Sequence, residues 1–447
     1  MAVWLVPRQD LTPDQARIVE MPPTANRVVL GVAGSGKTQV LVHRAAYLAE
    51  KYGVPPERFR VFVFTNVIKE YIRSGLEILR LPDGVVSTFD YWCVDAYERH
   101  FGPRLPRKPA ASGGRYGYDI DFPEVRRRVL DLVRDGGAGL RNSFEFVLVD
   151  EGQDLSREAY EIIREIARHV TVFADPQQKI YEDGAEAGLI FDRLRVTSPQ
   201  VAILGAFRNA AYVAELAAHF IEDPSRRAQY LAQVSAAQKI KERPLFFVAD
   251  SFEQEMDRLA EVVRARQVLN ERIGIIVPTN RLLHGLAAGL AERGVTVEKA
   301  ATKGHGRTME VTCSFGNLLP KIATFFQAKG LTFDSVLLPR LTAGSFFRST
   351  RPRIKSMMFV GIARATQWAY LSTVDLQEFQ EMHALAEAAA AGHLTMQKGG
   401  DWRAGQGAGI GAGGPRAGEG REQGRGKAEA QGYPDENGPD GDDFSVL

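Results

Sequence analysis

Gly31-Val-Ala-Gly-Ser-Gly36-Lys37-Thr38 fits the pattern G-x-x-x-x-G-K-[ST]. Each residue type in it serves phosphate binding. Gly31, Gly34 and Gly36 let backbone N–H groups wrap phosphate oxygens without a Cβ in the way, and Ser35 belongs to the same nucleotide-binding loop. Lys37 can reach the β- and γ-phosphates, and the Thr38 hydroxyl can hold Mg²⁺. The flanks agree. A β-branched run begins at Arg27 and ends on Val32, and an amphipathic helical stretch spans Gln39–Lys51. A strand entering such a loop and a helix leaving it put the positive end of the helix dipole under the phosphates. A glycine-rich turn with an incidental lysine is the plain alternative, and the strand and helix on either side weigh against it.

The second signal is Phe146-Val-Leu-Val-Asp150-Glu151-Gly-Gln153-Asp154. A hydrophobic strand ending on two acids delivers them to the C-terminal edge of a sheet, where open α/β folds bind ligands. Asp150 suits Mg²⁺, and Glu151 suits positioning and activating an attacking water. An acidic pair at a strand end also serves as ordinary helix N-terminal charge. Paired with the phosphate loop, the catalytic reading is preferred, and ATP with Mg²⁺ is the expected ligand.

Further strand-like runs lie at Val61–Asn66, Val170–Asp175, Arg272–Thr279, Lys321–Phe325, Asp334–Pro339 and Trp368–Val374. Most are continuous rather than alternating, as in parallel strands covered on both faces. Helical segments such as Ser156–Arg168 and Ala210–Ile221 separate them, so the expected class is α/β. The runs form two groups, which places a first domain at 1–205 and a second at 206–375, with a small insertion near 97–140 and a helical extension over 376–397. From 398 to 447 the chain is crowded with glycine and charge and nearly lacks aliphatics, so a disordered tail is expected there, solubilising or partner-binding.

The 447 residues carry a formal net charge of +1, from 56 Lys+Arg and 55 Asp+Glu, which gives no global signal for nucleic acid and leaves a local basic channel open. Cys93 and Cys313 supply neither a disulfide framework nor metal-ligand spacing. No apolar run reaches membrane-spanning length, and a soluble cytoplasmic protein is expected.

The order of motifs resembles the UvrD/Rep family of superfamily 1 DNA helicases, from about Leu11 to Val374. That resemblance implies two RecA-like P-loop NTPase domains with parallel sheets and ATP held between them. Leu11-Thr-Pro-Asp-Gln15 resembles the family's opening glutamine motif, so Gln15 would read the adenine edge; the same residues also make a helix start capped by Thr12. Val63-Phe64-Thr65-Asn66 and Val86-Ser-Thr88-Phe89 resemble segments that grip single-stranded DNA, with Phe64 stacking on a base and Thr65, Asn66 and Thr88 beside the backbone. Asp90 stands where the family commonly has histidine. Phe173-Ala-Asp175-Pro-Gln-Gln178-Lys-Ile-Tyr181 resembles the motif coupling γ-phosphate to DNA: Gln178 would sense the phosphate, and Tyr181 would lie towards the strand. The family's following aromatic-Arg pair is Glu182-Asp183 here.

In the second domain, Ala206-Phe207-Arg208-Asn209 resembles a motif whose aromatic stacks on adenine and whose arginine contacts the γ-phosphate. Thr324 to Phe333 resembles the motif near DNA and ribose, with Thr324 facing DNA, Gly330 near the nucleotide, and Thr332 replacing the usual acid. Arg364, in Phe359-Val-Gly361-Ile-Ala-Arg364, matches a second arginine finger. The short spacings from Thr88 to Asp150 and from Arg208 to Lys329 imply reduced insertions. Arg126–Arg128 and the group Arg348, Arg351, Arg353 and Lys355 read as a solvated charged face or, alternatively, as phosphate contacts.

The resemblance implies an ATP-driven translocase on single-stranded DNA moving 3′ to 5′, with RNA as another track. A different class also fits: an ATP-switched regulatory or interaction module in a repair or defence complex.

Overall fold

The computed structural model describes residues 4–32, 34–109, 118–136, 139–175, 187–204, 210–234, 242–300, 302–303, 310–311, 313–347, 349–375 and 379–402. The chain runs through α1 (Pro13–Glu20), β1 (Arg27–Gly31), α2 (Lys37–Tyr52), β2 (Phe59–Val63), α3 (Asn66–Ile78), β3 (Val86–Thr88) and α4 (Phe89–Phe101). A hairpin of β4 (Arg107–Pro109) and β5 (Tyr118–Ile120) leads to α5 (Phe122–Arg134), β6 (Phe144–Val149), α6 (Arg157–Ile166), β7 (Ala167–Ala174), α7 (Ala187–Leu194) and β8 (Val201–Leu204). The second lobe opens with α8 (Ala211–Ala218), α9 (Pro224–Val234), β9 (Leu245–Ala249), α10 (Phe252–Val268), β10 (Ile273–Val277) and α11 (Asn280–Glu292). After β11 (Glu298–Lys299) and a hairpin of β12 (Thr302–Lys303) and β13 (Glu310–Val311) come β14 (Lys321–Thr324), α12 (Phe325–Ala328) and β15 (Phe333–Leu338). The described chain ends with α13 (Arg351–Ile362), β16 (Ala365–Val374), α14 (Met382–Ala390) and β17 (Thr395–Lys398).

Two wholly parallel sheets result, ordered β3-β2-β6-β7-β1-β8 and β11-β14-β10-β15-β16-β9-β17. The continuous apolar runs have the expected cause. In β2, Val61 and Val63 enter the core under α1–α3 while Phe62 enters the opposite core under α4–α7. Both faces of the strand are covered, so no polar alternation survives. The core that includes Val29 and Ile68 continues into the second lobe through Phe325 and Val336, so apolar packing joins the lobes.

The register brings the functional loops together. Leu30 lies beside Ala174, and Val149 beside Val172. The segments after β1, β6 and β7 therefore leave the sheet at one edge. Helix α1 is fixed behind that edge by Arg44, which is fully buried on α2. Its guanidinium donates to the carbonyls of Ile18 (2.9 Å), Val19 (3.2 Å) and Met21 (2.8 Å), and to Thr171 Oγ1 (3.1 Å).

Two boundaries differ from the sequence expectation. The extension over 376–397 is not helical throughout: β17 follows α14 and adds to the sheet edge beside β9. The expected tail at 398–447 begins too early, because Lys398 belongs to β17 and Trp402 is packed. Trp402 sets its ring edge against Phe247 and donates from Nε1 to Glu261 (3.0 Å). The rest of the tail call, 403–447, lies outside the described residues. Within 97–140, α5 packs its Val125, Val129 and Val133 into the core beneath the first sheet. Among the described residues no helix is long and apolar enough to cross a membrane.

Candidate functional site

The phosphate loop closes the end of β1. Gly36 adopts φ 82° at the start of α2, and a Cβ there would meet Gln15 Nε2 at 2.6 Å, so glycine is required on both counts. Gln15 is buried against the loop. Its Nε2 donates to the Ser35 carbonyl (3.0 Å), and its Oε1 accepts from Thr12 N (3.1 Å) in a capping box. The expected adenine reader is thus also a buttress for the loop that carries Gly31, Gly34, Ser35 and Gly36.

Lys37 is buried, with Nζ donating to the carbonyls of Gly31 (2.7 Å) and Val32 (3.2 Å) and pairing with Asp175 Oδ2 (3.4 Å). Thr38 Oγ1 donates to Asp150 Oδ2 (3.2 Å). Asp150 Oδ1 is buried and has no hydrogen-bond partner among the described residues. A carboxylate with a spare oxygen beside a hydroxyl is the hard oxygen set that Mg²⁺ takes, so the residues present fit that ion. Burial, followed by the Glu151 charge, pushes the Asp150 carboxyl up to about 7. Glu151 goes the other way. Burial opposes ionisation, but Lys37, Lys329, Arg364 and the Gln153 hydrogen bond hold it below the usual carboxylate range. It stays an acceptor, as a water-activating group must.

Glu151 sits at φ 48°, ψ 46°, a left-handed conformation uncommon outside glycine that turns the chain sharply at the strand end. Gln153 locks it there. Its Nε2 donates to Glu151 Oε2 (2.5 Å), while its Oε1 accepts from Asp175 N (3.0 Å). One amide therefore links the ends of β6 and β7.

The second lobe meets this edge directly. Lys329 Nζ lies 2.6 Å from Asp154, both side chains being almost wholly buried. Gly330, at φ 79°, comes so near the first lobe that a Cβ would meet Ile68 Cδ1 at 2.1 Å. Arg364 is buried, held by the carbonyls of Val360 (3.2 Å) and Leu331 (3.4 Å). Gly34, Gly36, Lys37, Thr38 and Glu151 from one lobe line a cleft with Gly330, Thr332 and Arg364 from the other.

Residues 11–105 and 119–191 match the UvrD/REP helicase N-terminal domain. The first lobe thus resembles that part of the UvrD/Rep helicases. The chain is 22% identical to a probable DNA helicase II homolog of Mycoplasma capricolum subsp. capricolum, over 44% of this chain and 39% of that protein. It is 36% identical to the ATP-dependent DNA helicase PcrA of Staphylococcus epidermidis, over 16% of this chain and 10% of that protein. The matches thus span 39% and 10% of these relatives' lengths. Among solved structures, the C-terminal domain of a possible DNA helicase from Lactobacillus plantarum is 16% identical at a TM-score of 0.32, covering 43% of this chain and 99% of that one.

The expected nucleic-acid residues fall at strand ends. Thr65, Thr88 and Thr324 are the N-caps of α3, α4 and α12, each accepting a backbone N–H from the first turn (3.2, 3.2 and 3.4 Å). Phe64 and Asn66 flank Thr65 and are half-buried. Gln178, Tyr181, Phe207 and Arg208 lie outside the described residues, as do Glu182, Asp183 and Arg348. The basic groups are mostly neutralised. Arg126 pairs with Asp90 (2.7 Å), Arg127 and Arg128 with Glu124 (2.7 and 2.8 Å), and Lys355 with Glu222 (2.9 Å). The acid at position 90 thus has an arginine as its partner.

Val32, Gln39 and Tyr71 of the cleft lining were not among the sequence candidates, nor were Gln153, Asp154 and Lys329 beside it. Gln153 and Asp154 adjoin the Asp150-Glu151 pair, which was the available signal. Nothing local in the sequence ties Asp154 to a lysine 175 positions away.

Proposed function

We propose that this chain binds and hydrolyses Mg-ATP between its lobes and uses the cycle to move along single-stranded DNA, 3′ to 5′. One observation carries the reading: Arg364 of the second lobe lines the same cleft as Lys37, Thr38 and Glu151 of the first. Hydrolysis of a phosphoanhydride needs positioning and charge stabilisation more than covalent chemistry. Lys37 would turn from the loop carbonyls to the β- and γ-phosphates. Thr38 and Asp150 would hold Mg²⁺, which neutralises phosphate charge. Glu151 would accept the proton of the attacking water. Arg364, with Arg208 expected beside it, would stabilise charge on the γ-phosphoryl oxygens, and Gln178 would sense them. Gln15, Phe207 and Gly330 would border the nucleoside. Because Arg364 comes from the other lobe, turnover depends on closure.

The track reading is supported by the match of residues 11–105 and 119–191 to the UvrD/REP helicase N-terminal domain and by the strand-end positions of Phe64, Thr65, Asn66, Thr88 and Thr324. Helix N-termini there offer backbone donors and a positive dipole end to phosphates. Steady-state ATPase with and without single-stranded DNA tests it, with RNA as a parallel arm. Many-fold stimulation by DNA is expected, and Glu151→Gln should bind ATP yet lose about 10²–10⁴-fold in turnover. Turnover that ignores nucleic acid would favour an ATP-switched module instead, one that binds a partner rather than a track.

A further inference from the structure

We infer that Gln153 is a positioning residue of the hydrolytic site, whose amide holds the Glu151 carboxylate in a fixed relation to Lys37. The inference rests on the reading of the cleft as an ATP site.

The two ends of this amide have different partners. Nε2 donates to Glu151 Oε2 (2.5 Å), and Oε1 accepts from Asp175 N (3.0 Å). An ionised carboxylate offers no donor and a backbone N–H no acceptor, so the amide fits in one orientation only. Gln153 is 4% exposed and Asp175 wholly buried, so bulk water does not compete for either bond. The Asp175 carboxylate in turn pairs with Lys37 Nζ (3.4 Å). Glu151 follows β6, Asp175 follows β7 and Lys37 follows β1, and the sheet sets β7 between the other two. The bridge therefore crosses three neighbouring strand ends, from the expected proton acceptor through Gln153 and Asp175 to the phosphate lysine.

The turn that carries Glu151 needs outside support. Its backbone stands at φ 48°, ψ 46°, a region that a non-glycine residue keeps only where its surroundings over-determine it. Fully buried Tyr160 donates from Oη to the Gly152 carbonyl (2.5 Å), and a Cβ on Gly152 would meet Val172 Cγ1 at 2.3 Å, so the main chain is pressed onto β7. Those contacts hold the backbone, and the bond from Gln153 sets the side chain. With Oε2 occupied, Oε1 lies 3.6 Å from where a Gly330 Cβ would stand, on the side of the second lobe. Oε1 is then the oxygen left to take the proton as water adds to the γ-phosphorus and the bond to the β-phosphate oxygen breaks.

Gln153→Met keeps the length and the neutral charge but removes both bonds. Its ATPase kcat should fall about 10- to 100-fold, the scale of a misplacement of about 1 Å, with the ATP dissociation constant within about threefold of wild type. Gln153→Glu retains an acceptor for Asp175 N and replaces the donor to Glu151 with a like charge, so it should lose at least as much kcat, and it decides the matter if the methionine variant does not fold. In a Glu151→Gln background, where the proton acceptor is gone, Gln153→Met should lower single-turnover hydrolysis by less than about twofold. A residue that only supports the fold would cost the same fraction in both backgrounds. Near-wild-type kcat in either folded variant, ATP binding weakened as much as kcat, or an equal fractional loss in the Glu151→Gln background would each overturn the inference. A wild type that hydrolyses ATP leaves the ATP-site reading standing in those cases, whereas a wild type without ATPase activity removes both.

Discussion

The two lobes share a plan of parallel strands and covering helices, but they bring opposite charge to the cleft. The first lobe crowds Asp150, Glu151, Asp154 and Asp175 at one sheet edge around Lys37. The second contributes Arg364 and Gly330 to the cleft, with Lys329 reaching Asp154. The protonation pattern records the imbalance. Burial pushes Asp150 up to about 7 and Asp154 up to about 6, while the cations from both sides hold Glu151 down. A lobe that concentrates carboxylates out of water needs cations from elsewhere. Here part of that charge comes from the partner lobe, so electrostatic completion of the site and approach of the lobes are one event.

The largest test removes the second lobe's contribution outright. Arg364→Ala should cut ATPase turnover by about 10³-fold or more while ATP binding, measured by titration calorimetry, stays within about tenfold. Turnover near wild type would mean that the first lobe is chemically self-sufficient.

Next in size is the pair across the lobes. Lys329→Met leaves Asp154 buried without its cation, at a cost of about 3–5 kcal/mol if the carboxylate stays charged and less if it takes a proton. Adding Asp154→Asn should recover most of the loss, because removing both charges also removes the desolvation burden. Chemical denaturation of the two variants checks the order.

The smallest effect concerns an ion pair inside one lobe, and it sharpens the contrast. Arg272 grips Asp334 with Nε (2.9 Å) and Nη2 (2.8 Å). Burial opposes ionisation, but the guanidinium draws Asp334 down to about 2. A folded-state value below the unfolded one gives stability above pH ~4 that is lost as pH falls towards ~2, about 2 kcal/mol in all. The stability gap between wild type and Asp334→Asn should therefore narrow across that window. Asp154 behaves oppositely: its charge is disfavoured where it stands, and the stability it removes grows as pH rises from ~4 to ~6.

Much of the fold was legible because its signals are local. The runs at Arg27, Phe146, Lys321 and Trp368 became β1, β6, β14 and β16, since strands covered on both faces write themselves as unbroken apolar sequence. Polar β17, with the sequence Thr-Met-Gln-Lys, and three-residue β3 offered no such run, and only a neighbouring edge defines them as strands. Leu245–Ala249, which forms β9, is likewise an unbroken apolar run. In the site, Lys37, Thr38, Asp150 and Glu151 were readable from spacing alone. The partners of Asp90 and Asp154 were not, since tertiary packing chooses which arginine or lysine faces which acid.

Gly330 places a limit on how this interface could change. Ile68 stands 2.1 Å from where its Cβ would be, and Glu151 Oε1 stands 3.6 Å from that point. The gap between the lobes is therefore gauged by a missing methyl group. Alanine, the least possible enlargement, would act as a shim beside the Glu151 carboxylate and also strain a backbone at φ 79°. An added methyl would have to turn the end of the Ile68 side chain aside, so the two lobes' contact at this point depends on a residue with no side chain at all.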